Sequence, residues 1–276
     1  MTKDRGYSAP PAVVEHARRF STSGNRPAIP RVAATVLLLR PAPEGFEAYL
    51  IRRVAAMAFG GMYAFPGGGV DPSDSTVHVD WAGPEPANWG ETLALTPAAA
   101  QAVVCAAARE VFEEAGVLLA GPDPSRVVGD VSDEGWEVAR DDLEQRRTGF
   151  AELLARRGLT LRSDLLLPWS RWVTPEFEPR RFDTYFFVAL LPEGQRTRDV
   201  SREADHTLWM RPGEACERAR AGELTMLPPT LVTLSEVAAC PDLDAVVRAA
   251  SARDAATPIM PRLDLSDPDR PRFYLR

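Results

Sequence analysis

From Arg31 the chain runs Val-Ala-Ala-Thr-Val-Leu-Leu-Leu to Leu39, a continuous apolar and β-branched stretch that predicts a largely buried strand. A turn containing proline and glycine follows. Residues 48–51 then form a second short apolar run ending in Arg52 and Arg53, so the pair predicts a hairpin. Residues 57–72, MAFGGMYAFPGGGVDP, are too rich in glycine for a regular helix and form either a loop or a place where backbone passes close to something else. Residues 71–95 lack clear periodicity and predict an irregular insertion. Thr96 followed by Pro97 starts a helix, nothing interrupts residues 98–115, and Gly116 stands where a helix stops. Residues 133–157 predict another helix, with Leu143, Phe150, Leu153 and Leu154 among its apolar positions. A strand is expected over residues 184–191. Helices are expected over residues 13–20, 212–221, 229–239 and 243–253, and an extended terminus after residue 256.

The chain has 276 residues, of which 45% are hydrophobic, and this is the composition of a globular body rather than a disordered one. Thirty-nine acidic residues against 32 basic ones give a formal charge of -7, which offers no overall attraction to a nucleic-acid polymer or an anionic membrane. Cys105, Cys216 and Cys240 lie far apart, with the spacing of neither a metal knuckle nor a disulfide framework. The first twenty residues place charge and proline where a signal peptide needs an apolar run, and no stretch approaches 18 apolar residues. A cytoplasmic location is expected.

The sharpest chemical signal is Arg109-Glu110-Val111-Phe112-Glu113-Glu114-Ala115-Gly116-Val117. Residues three and four apart share a helix face, so Glu110, Glu113 and Glu114 can direct three carboxylates toward one small volume. A solvated helix end would carry the same residue types. Two features speak against it: the acids lie near the helix C-terminus, where the dipole disfavours negative charge, and the preceding turns are mostly Ala and Val, as in a buried helix. An oxygen-only cluster of this kind suits a hard divalent cation, Mg2+ or Mn2+.

Taken with Phe65-Pro66-Gly67-Gly68, the run REVFEEAGV resembles the signature of the Nudix hydrolases, which hydrolyse nucleoside diphosphates linked to another moiety. The usual box has a glycine, five residues, a glutamate, seven residues, then the Arg-Glu and Glu-Glu-x-Gly elements. Here Gly68 and Arg109 stand 41 positions apart instead of 14, an excess of 27, and the position eight before Arg109 is Gln101, which can neither neutralise Arg109 nor ligate as a carboxylate does. A split box is similar to that of the peroxisomal and mitochondrial coenzyme A diphosphatases. MAFGGMYAFPGGGVDPSD, WSRWVTPEFEPRRFDTYFF and LTMLPPTLVTL resemble further landmarks of that subgroup.

The resemblance implies an α/β fold, a Nudix-type α/β/α sandwich with a mixed β-sheet and helical insertions. Residues 31–256 would be the Nudix domain, with insertions at about 71–95 and 133–157, flanked by extensions at 1–30 and 257–276. It implies metal contacts from the carbonyl of Gly67 and from Glu113 and Glu114, with Glu110 as a further ligand or as the group that orients the attacking water. Arg109 would orient the glutamates, and Glu203 would bring another acid near the metals. Gly68 would let backbone pass close to the ions. Arg52 and Arg53 either grip phosphate or form an exposed pair, while Arg180 and Arg181 are better placed to meet an anionic substrate. Trp169, Trp172, Phe177, Tyr185, Phe186 and Phe187 are expected mostly in the core, with one ring available to stack on adenine. The expected reaction is metal-dependent cleavage of coenzyme A or acyl-coenzyme A to 3',5'-ADP and phosphopantetheine products. ADP-ribose or NADH cleavage is the enzymatic alternative, and a weakly catalytic nucleotide-binding regulatory module, suggested by Gln101 and the stretched box, is the other. The expected partner is a nucleotide-containing small molecule, with neither a nucleic-acid polymer nor a membrane, and the family allows a homodimer.

Overall fold

The computed structural model describes residues 7–9, 11–55, 60–76, 78–267 and 271–275; Met57, Ala58 and Phe59, at the start of the glycine-rich segment, lie outside the described residues. The predicted hairpin forms from Arg31–Ala42 and Gly45–Arg53, at the centre of an eight-stranded mixed sheet. From one edge the strands are Ala204–Met210, Gly45–Arg53, Arg31–Ala42, Phe182–Leu190, Leu167–Val173 and Pro258–Ile259. Two short strands complete the sheet: Tyr63–Ala64 pairs with Gly45–Arg53, and Gly67–Gly69 with Arg31–Ala42. Arg31–Ala42 runs parallel to Phe182–Leu190 and antiparallel to its other partners.

Both faces of this sheet are covered, which explains why its central strands are continuously apolar instead of alternating. Ala34, Val36 and Leu38 point into one core, and Leu37 and Leu39 into the other. The next strand divides in the same way, with Tyr185, Phe187 and Ala189 opposite Phe186 and Val188. On the first face lies the helix Pro97–Ala115, flanked by Pro86–Leu93, Glu134–Glu144 and Phe150–Arg157. Helices Pro212–Arg220, Pro228–Ala238 and Leu243–Ala250 cover the second. The result is the α/β/α sandwich expected from the sequence. Trp169, Trp172, Tyr185, Phe186 and Phe187 are buried.

Two expectations are corrected. Residues 71–95 are not irregular: they carry the helices Ser73–Thr76 and Pro86–Leu93, the second ending with Ala94 at φ 53 and burying Trp89, Gly90 and Leu93. Residues 133–157 form two helices, Glu134–Glu144 and Phe150–Arg157, because the chain turns between them with Arg146 at φ 56. At the ends of the chain, Tyr7–Ser8 pairs with Arg272–Tyr274, and Phe273 packs with Val13 and Val14 of the helix Pro11–Ser23. Among the described residues no single helix is long and apolar enough to cross a membrane.

Candidate active site

The carboxylates are placed by one well-capped helix. Thr96 accepts a hydrogen bond from the Ala99 amide at 3.3 Å, Pro97 fills the first turn, and Gly116 closes the far end at φ 66 with its N–H donating to the Phe112 carbonyl at 3.0 Å. Between the caps almost every residue is buried, including Arg109, Glu110, Glu113 and Glu114. The C-terminal part of this helix faces the short strand Gly67–Gly69, and the two elements touch closely. The Gly67 amide donates to Glu114 Oε2 at 2.6 Å. A Cβ at Gly68 would stand 2.5 Å from Glu110 Oε1, so glycine is what lets the Glu110 carboxyl lie against this backbone.

Arg109 ties the cluster together. Its Nη1 donates to Glu110 Oε1 at 2.8 Å and to Glu113 Oε1 at 3.2 Å, and its Nη2 donates to the Gly69 carbonyl at 2.8 Å. The remaining side of the guanidinium meets Asp74, with Nε to Oδ1 and Nη2 to Oδ2 both at 3.2 Å. This two-pronged contact is what the planar fork of arginine favours. Asp74 stands six positions after Gly68, where the box expects its glutamate, and its side chain is fully buried. Gln101, assigned to that position by counting back from Arg109, lies eight residues along the helix, about 12 Å away. The 27 extra residues therefore enter after the first acid of the box. Counting forward from Gly68 finds Asp74.

Burial raises the Glu114 carboxyl well above the usual range, with Glu110 adding to the rise and Arg53 and the Gly67 amide opposing it. Glu110 is pushed up to about 7, again chiefly by burial, against the pull of Arg109. Burial also raises Glu113 and Asp74, with Arg109 the main opposing influence. For Arg109 burial acts downward, yet Glu110, Asp74 and Glu113 outweigh it and hold the guanidinium charged. Three carboxyls, Asp74, Glu110 and Glu113, thus surround one guanidinium, and Glu114 Oε1 beside them is buried without a hydrogen-bond partner. That surplus of acidic oxygen fits a hard divalent cation in donor type and charge. Among the described residues no three acidic, His or Cys side chains are already gathered as a closed ligand set, and Arg109 Nη1 holds both Glu110 and Glu113.

The other expected residues separate into two groups. Arg53 borders the cluster: it is 3.7 Å from Glu203 Oε2 and lines a cleft of about 220 Å3 together with Gly67 and Gly68. Glu203 is half exposed and close enough to raise both Glu110 and Glu114. Arg52, on the opposite face of the strand, is held by exposed Asp205 at 2.6 Å. Arg180 is exposed, and Arg181 is buried with its guanidinium donating to the carbonyls of Thr174 at 3.0 Å and Ala28 at 2.8 Å. Arg52, Arg180 and Arg181 do not line the cleft, whose walls are mainly apolar and include Tyr63, Phe65, Trp172 and Phe186.

The family model described as the NUDT19 Nudix domain matches residues 87–237. The acyl-coenzyme A diphosphatase NUDT19 of Homo sapiens is 30% identical over 237 residues, covering 72% of this chain and 62% of that protein. Its counterpart in Xenopus laevis is 25% identical over 229 residues, covering 70% of this chain and 60% of that protein. The chain thus spans about three fifths of the length of these curated relatives. A solved structure of a Nudix hydrolase from Alicyclobacillus acidocaldarius superposes with a TM-score of 0.65 at 28% identity, covering 83% of this chain and 99% of that one. The family match takes in more than half of the 276 residues, and its Arg-Glu and Glu-Glu-x-Gly elements are the ones gathered around Gly67 and Gly68: the chain belongs to the Nudix hydrolase family, related to its NUDT19 subgroup.

Proposed function

We propose that this protein hydrolyses the diphosphate linkage of coenzyme A or acyl-coenzyme A, releasing 3',5'-ADP and the corresponding phosphopantetheine. The observation that carries this reading is the continuity of the Gly67–Gly68 backbone, against which Glu110 and Glu114 lie, with an apolar cleft suited to a long, weakly polar arm. Two relatives named as acyl-coenzyme A diphosphatases support the same substrate class.

In this reading Glu110, Glu113, Glu114 and the Gly67 backbone hold Mg2+ or Mn2+. When bound, the cation supplies Lewis-acid stabilisation of phosphoryl charge and lowers the pKa of water. Arg109 and Asp74 fix the carboxylates, Arg53 meets a phosphate oxygen, and Glu110, held by Arg109, serves either as a further ligand or as the group that orients the attacking water. Glu203 lies at the open side of the cluster and adjusts its charge. The regulatory-module alternative draws on Gln101 and on the stretched box, and the position of Asp74 beside Arg109 speaks against the first of these grounds.

The test is a substrate panel of coenzyme A, acyl-coenzyme A, NADH and ADP-ribose with Mg2+ or Mn2+, products being identified by mass spectrometry. Release of 3',5'-ADP is expected. Cleavage of ADP-ribose or NADH without cleavage of either coenzyme A substrate would overturn the assignment in favour of the other diphosphatase activity, and tight nucleotide binding without turnover would select the regulatory module.

A further inference from the structure

The cleft beside Gly67 and Gly68 contains one carboxyl that the proposed chemistry does not use. Glu178 is 6% exposed, lies between Pro175 and Phe182, and lines the cleft together with Val13 of the helix Pro11–Ser23 and Phe273 of the C-terminal strand. Its Oε2 is 3.0 Å from His16 Nδ1. Its Oε1 is buried and has no hydrogen-bond partner. Leaving such an oxygen unpaired in apolar surroundings is costly, so a donor brought to it from the cleft would be favoured.

We infer that Glu178 is a specificity-determining residue whose Oε1 accepts a hydrogen bond from an N–H carried on the otherwise apolar part of the substrate. The inference rests on the proposed substrate class and adds to it a named point of recognition. The contact with His16 engages Oε2, so Oε1 is the oxygen left to accept a hydrogen bond. A site built around a buried acceptor rejects an analogue lacking the donor, because the acceptor is then stranded without water. Coenzyme A offers such donors at two places, the amides of the pantetheine arm and the exocyclic amine of the purine.

The experiment measures binding, independently of turnover, of 4'-phosphopantetheine and 3',5'-ADP separately to the full-length protein, by calorimetry. Glu178→Leu is expected to weaken one fragment about tenfold, the loss expected for one hydrogen bond to a charged group. Loss on phosphopantetheine assigns the amide, and loss on 3',5'-ADP assigns the purine amine. Glu178→Gln, which keeps an acceptor oxygen, should restore most of the affinity. His16→Ala separates recognition from a purely structural clasp between the N-terminal helix and this loop: it should lower the melting temperature but leave affinity within about twofold of wild type. Should Glu178→Leu fail to fold, fragments with the donor nitrogen methylated, tested on the unaltered protein, should show the same tenfold loss. Equal binding of methylated and unmethylated fragments, equal binding to wild type and Glu178→Leu, or a loss in His16→Ala matching that in Glu178→Leu would overturn the inference alone. Failure of both fragments to bind the wild-type protein would overturn the inference, whereas absence of coenzyme A and acyl-coenzyme A cleavage in the substrate panel would overturn the reading on which it rests.

Discussion

Asp74 and Gln101 compete for one role, and substitution separates them. Asp74 grips the Nε–Nη2 edge of the Arg109 guanidinium from a fully buried position, so Asp74→Asn should loosen Arg109 and with it Glu110 and Glu113. We expect turnover to fall about tenfold, from loss of a charge-assisted pair that positions other groups. Gln101→Glu should not rescue that variant, because two helical turns separate it from Arg109. Rescue would return the role to Gln101. At Glu114, whose Oε2 accepts from the Gly67 amide and whose Oε1 is unpaired, Glu114→Gln preserves size but removes charge. Turnover should drop roughly 100-fold or more across Mg2+ and Mn2+ concentrations, the scale of a preorganised electrostatic contact, whereas exposed Glu91→Gln should leave it unchanged. Near-normal turnover of Glu114→Gln at every metal concentration would remove it from the ligand set. The three glutamates were legible in the sequence because helical spacing alone gathers them. Asp74 was legible only when counted from Gly68, since the inserted residues break the count from the other end. Arg181 was not legible: arginine content does not say whether a guanidinium meets a phosphate or, as here, two backbone carbonyls.

Among the elements, the strand Gly67–Gly69 is short, yet it pairs with the central strand Arg31–Ala42 while touching the carboxylates of the helix, and at two successive positions a Cβ would force a neighbour to shift. The obstacles differ. At Gly68 a methyl meets the end of the flexible Glu110 side chain, which can swing away, so Gly68→Ala should leave the melting temperature close to wild type while turnover falls at least about tenfold. At Gly67 it meets the Ala34 carbonyl and the Thr35 Cβ, both at 2.6 Å, which belong to the central strand and cannot yield alone. Gly67→Ala should therefore destabilise the fold by about 1–3 kcal/mol, the usual cost of overpacking. Calorimetry of the two variants checks the contrast, and equal melting temperatures would contradict it. The same local physics explains which elements the sequence disclosed. Thr96-Pro97 and Gly116 mark a long helix with strong signals at both ends. The helix Pro86–Leu93 has two turns, a cap residue, Glu85, whose side chain makes no capping hydrogen bond, and a glycine on its buried face, so its periodicity is too brief to read. The break between Glu134–Glu144 and Phe150–Arg157 depends on Arg146 adopting a left-handed conformation that its residue type does not announce.

At the scale of the whole molecule, the sandwich buries a charge imbalance that the unfolded chain does not have to bear, and this couples stability to pH and to metal. Glu110 is raised from 4.5 to about 7 and Glu114 also rises, in both cases chiefly because burial penalises the ionised carboxyl. The folded protein without metal therefore holds protons that the unfolded chain has released. Stability from these groups is fully present below about pH 4.5 and is lost as pH rises through about 7. Asp71, Asp164 and Asp254 act in the opposite sense: their carboxyls are held below the usual range by hydrogen bonds, so their contribution is lost only in more acidic solution. Between about pH 5 and pH 8 the glutamates should prevail, and the melting temperature in the presence of a chelator should decline. A divalent cation bound by the ionised carboxylates reverses the sign, because binding favours the folded state and competes with protons. Excess Mg2+ or Mn2+ should then raise the melting temperature more at pH 8 than at pH 5, and Glu114→Gln should shrink that increment without abolishing folding. Scanning calorimetry at the two pH values, with and without metal, measures all four quantities. A metal increment that is the same at both pH values, or that survives intact in Glu114→Gln, would show that the cation binds somewhere other than this carboxylate cluster.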